Sequence, residues 1–224
     1  MKKKSKLIII GYLFIFCGII VITFPYVLQK INQLDAKGRA ESYDKNVEEL
    51  NEEDIKNKIN EANEYNINIY NNGTIGISLE NIFDIKNNNK LKILGYIIIP
   101  KIHVNLPIYE GTGKNVLLKG IGHLENTSIP IGGKNTHSVL AGHTGLARAV
   151  MFDNLNKLEI GDIFYIKSLN LKLEYKVQEK NTILPNEIDK LSIKEGQDLV
   201  TLVTCIPKHV NTHRLLVTGV RNNY

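Results

Sequence analysis

One cysteine stands out among the residues that could do chemistry, because it ends an apolar, strand-like run and an arginine follows it. The run 201–204 precedes Cys205, and Arg214 comes shortly afterwards. Upstream, His143 lies in a turn flanked by glycines. A cysteine, a histidine and an arginine are the side chains that thiol acyl transfer needs, in which a thiolate attacks a carbonyl carbon. The sequence therefore predicts a protein that makes and breaks acyl bonds.

The three side chains have separable chemical roles. Thiols are only a few per cent ionised at neutral pH, so a nucleophilic cysteine needs a neighbouring base or cation. Histidine can take the thiol proton and return it to a leaving amine. Arginine keeps its proton, and its fork of donors suits an oxyanion or the carbonyls of a peptide. We therefore interpret Cys205 as the nucleophile, His143 as the acid/base and Arg214 as the charge-stabilising group.

Six histidines compete for the acid/base role, and most histidines in proteins are structural. His143 is favoured because it follows an apolar run at a predicted strand end, where reactive groups are often presented. His213 is disfavoured because strand alternation points it away from the face of Arg214. The dispersed histidines and cysteines lack the spacing of a zinc site, so neither a metal nor another cofactor is expected.

The N-terminal segment predicts a membrane anchor. Residues 7–28 are uncharged and long enough to cross a bilayer as a helix, and four lysines precede them. The basic flank predicts a single-pass protein of the cell membrane with its N-terminus in the cytoplasm and its catalytic domain outside. A cleaved signal peptide is the alternative, but its apolar region is shorter and its cleavage site has small residues. Cys205 is then the only cysteine outside the membrane segment, so it is either buried and inert or kept for its chemistry.

Charge argues against a nucleic-acid partner. The net charge is +5, and the four lysines that precede the apolar run account for most of it. The remaining lysines and arginines are scattered among acidic residues, without a basic stripe interleaved with aromatics.

The chain divides into four segments. Residues 1–28 are the basic tip and anchor, and the charged, helix-favouring segment 29–65 predicts amphipathic helices packed on the main domain or a solvated stalk. The asparagine-rich segment 66–92 predicts a long loop, either a lid or a disordered linker. Residues 93–224 form a single, mainly β domain, because short apolar runs alternate there with turn signals as in a barrel or sandwich.

The apolar runs place the individual elements. Helical turns are predicted near 116–120 and 147–155. Strands are predicted at 95–99, 106–109, 138–141, 162–168, 172–184, 199–204 and 215–220.

Several ordered segments resemble the sortase family, most narrowly the class C, pilin-polymerising sortases of Gram-positive bacteria. The Thr-Leu-Val-Thr-Cys signature at 201–205 with Arg214 downstream is specific to that family. The segments that carry the resemblance are GYIIIPKI at 95–102, LPIYEGT at 106–112, GIGHLE at 120–125, GGKNTHSVLAGH at 132–143 and the stretch 199–214.

The resemblance implies a fold and an activity. The fold is an eight-stranded sortase β-barrel with short helices, and the activity is a transpeptidation that cleaves an LPXTG-like sorting signal between threonine and glycine. Cys205 forms the thioacyl enzyme, His143 is the acid/base, Arg214 is the oxyanion or substrate clamp, and Thr204 lines the substrate site. The partners implied are LPXTG-bearing surface proteins or pilin subunits, and the acyl acceptor is an amine, most narrowly a pilin lysine.

Class C sortases often carry a lid with an Asp-Pro-aromatic motif. The corresponding loop here has Ile82, Phe83 and Asp84 but no proline. We expect Phe83 to cover an apolar cleft and Asp84 to pair with Arg214. Two other functions remain open: a sortase that attaches single proteins to peptidoglycan, and a non-catalytic, membrane-tethered assembly module in which Cys205 is a core residue.

Overall fold

The structure, a computed structural model, describes residues 2–73, 82–83, 91–147 and 149–222. Two long helices, α1 (Lys2–Glu48) and α2 (Glu52–Asn72), precede the β domain, and a short helix, α3 (Lys114–Leu117), lies within it. The strands are β1 (Ile93–Ile99), β2 (Val104–Glu110), β3 (Ile121–His123), β4 (Thr136–Ala141), β5 (Ile163–Ser168), β6 (Leu171–Ile183), β7 (Asp198–Ile206) and β8 (His213–Arg221).

The eight strands close into a barrel in the order β1-β2-β3-β4-β7-β8-β6-β5. The pairs β2/β3 and β4/β7 are parallel, and the other six pairs are antiparallel. The predicted eight-stranded, mainly β fold is confirmed. The apolar runs did not reveal β3, which has only three residues and so shows no strand pattern of its own.

The strand directions place several connecting segments, wholly or in part, at one end of the barrel. Strands β1, β4, β6 and β7 end there, and β2, β3, β5 and β8 begin there, as the registers require. Cys205 lies at this end, so we call the segments 100–103, 142–162, 184–187 and 207–212 the Cys205 rim.

Side-chain alternation along β7 separates the core from the outer face. Val200 and Leu202 belong to the main hydrophobic core inside the barrel. Residues one position away, including Val203 and Cys205, therefore point outward, because successive side chains of a strand face opposite sides. The nucleophile candidate is on the outside of the barrel, at its rim.

Helix α1 packs along the barrel through one stripe of side chains. Ala36, Ala40, Tyr43 and Val47 are buried and join the barrel core. Their spacing of three or four residues puts them on one face of a helix. Over this stretch α1 therefore packs on the domain through one face and is not surrounded by solvent.

Helix α2 extends into the segment predicted as a loop. Asn51 caps its start by accepting a hydrogen bond from the Asp54 N–H at 2.7 Å, and Gly73 ends it with a left-handed backbone at φ 67°. The prediction of a loop from residue 66 is thus wrong for 66–72. Asn66 is buried, and its side chain binds both backbone groups of Ile129, at 2.7 Å to the N–H and 3.1 Å to the carbonyl. Two hydrogen bonds satisfy the buried amide, so an asparagine serves there as a core residue.

Tyr43 connects α1 to two barrel segments by hydrogen bonds, which generates a stability prediction. Its hydroxyl accepts the Leu169 N–H at 2.8 Å and donates to the Leu94 carbonyl at 3.3 Å. Tyr43→Phe removes this acceptor from a buried N–H, so we expect a loss of about 1–3 kcal/mol of unfolding free energy. Thermal melting of the full chain in detergent measures it. Tyr70→Phe, at an exposed position of α2, is the control and should stay within about 0.5 kcal/mol of the parent. Equal melting of both variants would contradict the prediction.

Candidate active site

The barrel places the three candidate residues at the ends of adjacent strands. Cys205 and Arg214 are direct cross-strand partners in the antiparallel β7/β8 pair. Their side chains therefore emerge on the same face of the sheet. On the other side of β7, the parallel β4/β7 register ends at Ala141 opposite Val203. His143 and Cys205 each follow these partners by two residues, so the same register brings them next to each other at the rim.

The backbone beyond β4 is held in this register by two hydrogen bonds at Gly142. The Gly142 N–H donates to the Val203 carbonyl at 3.0 Å, and the Thr204 hydroxyl donates to the Gly142 carbonyl at 2.7 Å. A Cβ at position 142 would lie 2.6 Å from the Phe152 ring and 2.8 Å from Ile121. Glycine is therefore required before His143 by this close packing.

Thr204 is buried and faces inward, opposite to Cys205 in the strand alternation. Its hydroxyl is used by Gly142. The predicted role of Thr204 in binding substrate stays a prediction, and the geometry adds another role, which is to hold the backbone that carries His143.

Arg214 is half-buried and tied to the turn between β7 and β8. Its Nη1 donates to the Asn211 carbonyl at 3.0 Å and to the His213 carbonyl at 3.1 Å. Two carbonyl acceptors restrain the long side chain close to its own strand end. The guanidinium has five N–H donors, so this restraint leaves donors for a substrate.

Two of the competing histidines have structural roles. His123 is buried, and its Nε2 lies 2.9 Å from the Ser128 carbonyl. Burial lowers the pKa of His123 to about 4. The His137 Nδ1 donates to the Ser192 carbonyl at 2.9 Å, and its Nε2 lies 2.6 Å from the Thr201 hydroxyl. Burial also lowers the pKa of His137, so both rings remain neutral parts of the framework.

The remaining histidines differ in position. His103 and His209 are exposed in turns with left-handed backbones. His213 pairs with Ile206 and its Nδ1 lies 2.9 Å from the Thr212 hydroxyl. His143 alone among the six follows the end of β4, two residues beyond the pair Ala141/Val203, as Cys205 does on β7. Within the described ranges, no cluster of three or more His, Cys, Asp or Glu side chains is arranged to hold a metal ion.

Sequence reasoning missed Asp153, which ties the His143 loop to the β7–β8 turn. One carboxylate oxygen accepts the Gly145 N–H at 2.9 Å and binds the Lys208 ammonium at 2.8 Å, and the other accepts the Met151 N–H at 3.2 Å. Burial acts to raise the pKa of Asp153, but Lys208 and the two N–H donors outweigh burial and hold that pKa below its ordinary value. Only the juxtaposition of two loops distant in sequence reveals this role, so no local motif could have found it.

The structure describes one of the two predicted lid residues. Phe83 is buried and belongs to the main hydrophobic cluster, together with Ile82. Asp84 lies outside the described residues, as does most of the loop. Coverage of the site by Phe83 and pairing of Asp84 with Arg214 stay predictions.

The carboxylate of Asp153 should control how firmly the His143 loop is held. Asp153→Ala removes hydrogen bonds to a charged acceptor, each worth about 1.5–3 kcal/mol, so exchange of the Gly145 amide hydrogen should quicken roughly 10- to 100-fold. Lys208→Ala removes only a partly exposed ion pair worth about 1 kcal/mol or less, so it should quicken exchange less than about fivefold. Amide hydrogen exchange followed by NMR measures both.

The same carboxylate predicts a pH dependence. Because the pKa of Asp153 is depressed in the fold, its contribution is fully present above the ordinary pKa of 3.8 and is lost as the pH falls through the lower, folded value. Protection of Gly145 should fall with acid in the parent chain and not in Asp153→Ala. Equal acid sensitivity of the two chains would contradict the assignment.

Comparison with known proteins agrees with this geometry. A family model for the sortase domain matches residues 97–222, which is more than half of the chain. A sortase A of Staphylococcus aureus is 26% identical over 92% of this chain and 89% of its own length. A sortase A of Bacillus anthracis is 29% identical over 58% of this chain, and the match covers only 60% of that relative's length.

Solved structures extend the likeness to class C sortases. The sortase C of Clostridium perfringens, solved with the C-terminal cell wall sorting motif, is 41% identical and has a TM-score of 0.76, covering 84% of this chain and 100% of that one. Sortase C1 of Streptococcus agalactiae is 40% identical with a TM-score of 0.76, covering 83% of this chain and 98% of that one. A closed barrel with a cysteine, a histidine and an arginine at one rim, matched over this length, places the chain in the sortase family.

Proposed function

We propose that this chain is a membrane-anchored cysteine transpeptidase that cleaves an LPXTG-like sorting signal and transfers the acyl group to an amine. The observation that carries the proposal is the register of the barrel, in which Cys205 lies directly opposite Arg214 and next to the strand end of His143. Membership of the sortase family supports the reaction class. The non-catalytic alternative is disfavoured, because a core cysteine would not need to point outward at the rim.

The three side chains act in sequence. The Cys205 thiolate attacks the threonine carbonyl carbon of the signal, and the carbonyl oxygen takes up negative charge that Arg214 stabilises. The C–N bond to glycine then breaks, and His143 gives a proton to the leaving amine. An incoming amine attacks the thioester, His143 receives its proton, and the thiolate leaves as the new amide forms.

The outer face beside Cys205 suits an extended apolar peptide. Ala141 and Val203 are paired, partly exposed and outward-facing, two positions along their strands from His143 and Cys205. Further along the same face, Val139 and Leu216 are buried outside the main core. The Ser192 carbonyl, bound by His137, holds the segment between β6 and β7 against this face. This apolar strip supports binding of the leucine and proline of an LPXTG-like motif.

A pilin lysine is the acceptor that the likeness to class C sortases favours. That likeness extends over more than four-fifths of the chain at 35–41% identity. Transfer to peptidoglycan is the second candidate. In a competition between a lysine-bearing pilin domain and a peptidoglycan-type amine at equal concentration, we expect the isopeptide-linked pilin product to dominate. Dominance of the peptidoglycan-type product would favour the second candidate.

The location of the chain follows from its first helix. Helix α1 is long and apolar enough to cross a membrane, with a mean hydropathy of 2.2 in its most apolar part, which no other part of the described structure covers. The lysines before it support an N-terminus in the cytoplasm and a barrel on the outer surface, in a single pass.

The first test of the mechanism separates two histidines. Cys205→Ala should abolish both cleavage of an LPXTG-like peptide and the acyl-enzyme adduct seen by mass spectrometry. His143→Ala should lower turnover roughly 10²- to 10⁴-fold, because the leaving amine loses its proton donor. His213→Ala, the matched control near the same rim, should cost less than about tenfold. A reversed order of the two histidine variants would show that the acid/base is assigned to the wrong residue.

The second test concerns the shape of the cation opposite Cys205. Arg214→Lys keeps the charge but loses the planar fork, so the acylation rate should fall at least about tenfold. Single-turnover kinetics with excess enzyme isolates acylation from transfer. Lys208→Arg, an exposed cation of the same rim, should leave the rate near that of the parent. An Arg214→Lys chain of full activity would reduce this arginine to a general positive charge.

A further inference from the structure

Helix α1 runs along the barrel from the Cys205 rim to the opposite end. At the rim, the Gln29 Nε2 donates to the Ala147 carbonyl at 3.0 Å. At the opposite end, Asp44 accepts from the Tyr96 hydroxyl and pairs with the Lys167 ammonium, both at 2.7 Å. The barrel is therefore oriented on the helix with its Cys205 rim toward the apolar, N-terminal half of α1.

The apolar run ends where the rim begins. Residues 7–28 span roughly 33 Å as a helix at 1.5 Å a residue, which matches a hydrocarbon core of about 30 Å. Gln29 is the next residue, so it lies at the boundary between hydrocarbon and headgroups. The headgroup layer is about 5–8 Å thick on each side. The Ala147 carbonyl, hydrogen-bonded to Gln29, lies at the depth of this layer.

The exposed apolar side chains of the barrel provide an independent observation. Among the described residues from 91 onward, four large apolar side chains are exposed. Three of these lie on the Cys205 rim: Ile160 at 73% exposure, Val210 at 64% and Leu184 at 46%. The fourth, Ile188, lies further along the β6–β7 connection. Ile188 borders residues 124–127 of the β3–β4 connection at the opposite end, so among the described residues from 91 onward that end exposes one large apolar side chain against three on the rim.

The charges of the rim indicate how it meets the membrane. Among the described residues, basic and acidic side chains are equal in number there when Arg214 at the adjoining strand end is included. They are Lys101, Lys157, Lys208 and Arg214 against Asp153, Glu159, Asp162 and Glu187. Lys101 forms an ion pair with Asp162 at 2.7 Å, and Lys208 forms one with Asp153 at 2.8 Å. A balanced rim gains little from anionic lipids, so apolar contact is the interaction available to it.

We propose that the Cys205 rim rests in the headgroup layer of the membrane that anchors α1, with Ile160, Leu184 and Val210 in contact with lipid. This proposed surface depends on the membrane anchoring proposed above. Its partner is the zwitterionic or anionic bilayer itself, bound by apolar insertion. The site of acyl transfer then opens at the membrane surface, at the depth where a membrane-tethered peptide emerges from the bilayer.

The chain contains no tryptophan, so single tryptophans report depth without background. The experiment uses the full chain in phosphatidylcholine vesicles that contain lipids brominated near the headgroup end of the acyl chain. Val210→Trp and Ile160→Trp probe the rim. Glu195→Trp, at an exposed position near the start of β7, probes the opposite end, and Phe14→Trp probes the apolar run. Both rim tryptophans should lose more than half of their fluorescence to bromine, and the Glu195→Trp chain less than about a tenth.

The controls separate failure of the surface from failure of the anchor. Quenching in Phe14→Trp without quenching at either rim position would overturn the proposed surface and leave the anchor intact. Equal quenching at the rim and at position 195 would also overturn it, because the barrel would then lie on its side. No quenching in Phe14→Trp would remove the anchor and the surface together. Quenching at the rim should persist in 0.5 M salt, and its loss there would contradict apolar insertion.

Discussion

The parallel pairing of β4 with β7 is the constraint on which the site depends. It sets where the chain leaves β4, and the two hydrogen bonds at Gly142 extend the register past the last paired residues. Parallel strands run in the same direction, so their ends coincide at one edge of the sheet. Two residues that follow these ends by equal distances, His143 and Cys205, are thereby neighbours. The antiparallel strand β8 adds the third candidate residue, because the turn between β7 and β8 returns Arg214 to the position opposite Cys205.

The site depends on the barrel for register and on loop contacts for precision. His143 is beyond the last residue of β4, where ladder hydrogen bonds no longer restrain the backbone. The Asp153 carboxylate supplies restraint there by accepting two N–H groups of the loop and by reaching Lys208 on the β7–β8 turn. The loop that carries His143 and the turn next to Arg214 are therefore connected through one charged group. A carboxylate that accepts several donors is a stronger tie than an exposed ion pair alone.

The sequence was most informative where chemistry and periodicity are local. The apolar runs located seven of the strands, since each run buries one face, and the three candidate residues were found from their types and their positions at strand ends. Strand β3 was missed because three residues carry too little pattern, although it pairs with β2 and β4, the strands next to it in the chain. The end of α2 was missed because its asparagines suggested a loop. Asn66 becomes a core residue only through Ile129, a partner that no local pattern identifies.

The packing of α1 has a consequence for how the site meets a tethered substrate. The helix continues without a break from Lys2 to Glu48, and Pro25 lies within the apolar run, before Gln29. Because Pro25 precedes Gln29, a bend at this proline would tilt the apolar segment and leave the contacts from Gln29 to Val47 with the barrel in place. A flexible stalk would let the site move through a large volume above the bilayer and would lower its effective concentration near the membrane surface. For the membrane-anchored transpeptidase proposed above, a packed helix would keep the site at one depth, where an enzyme and a substrate held in the same membrane have a high effective concentration for each other.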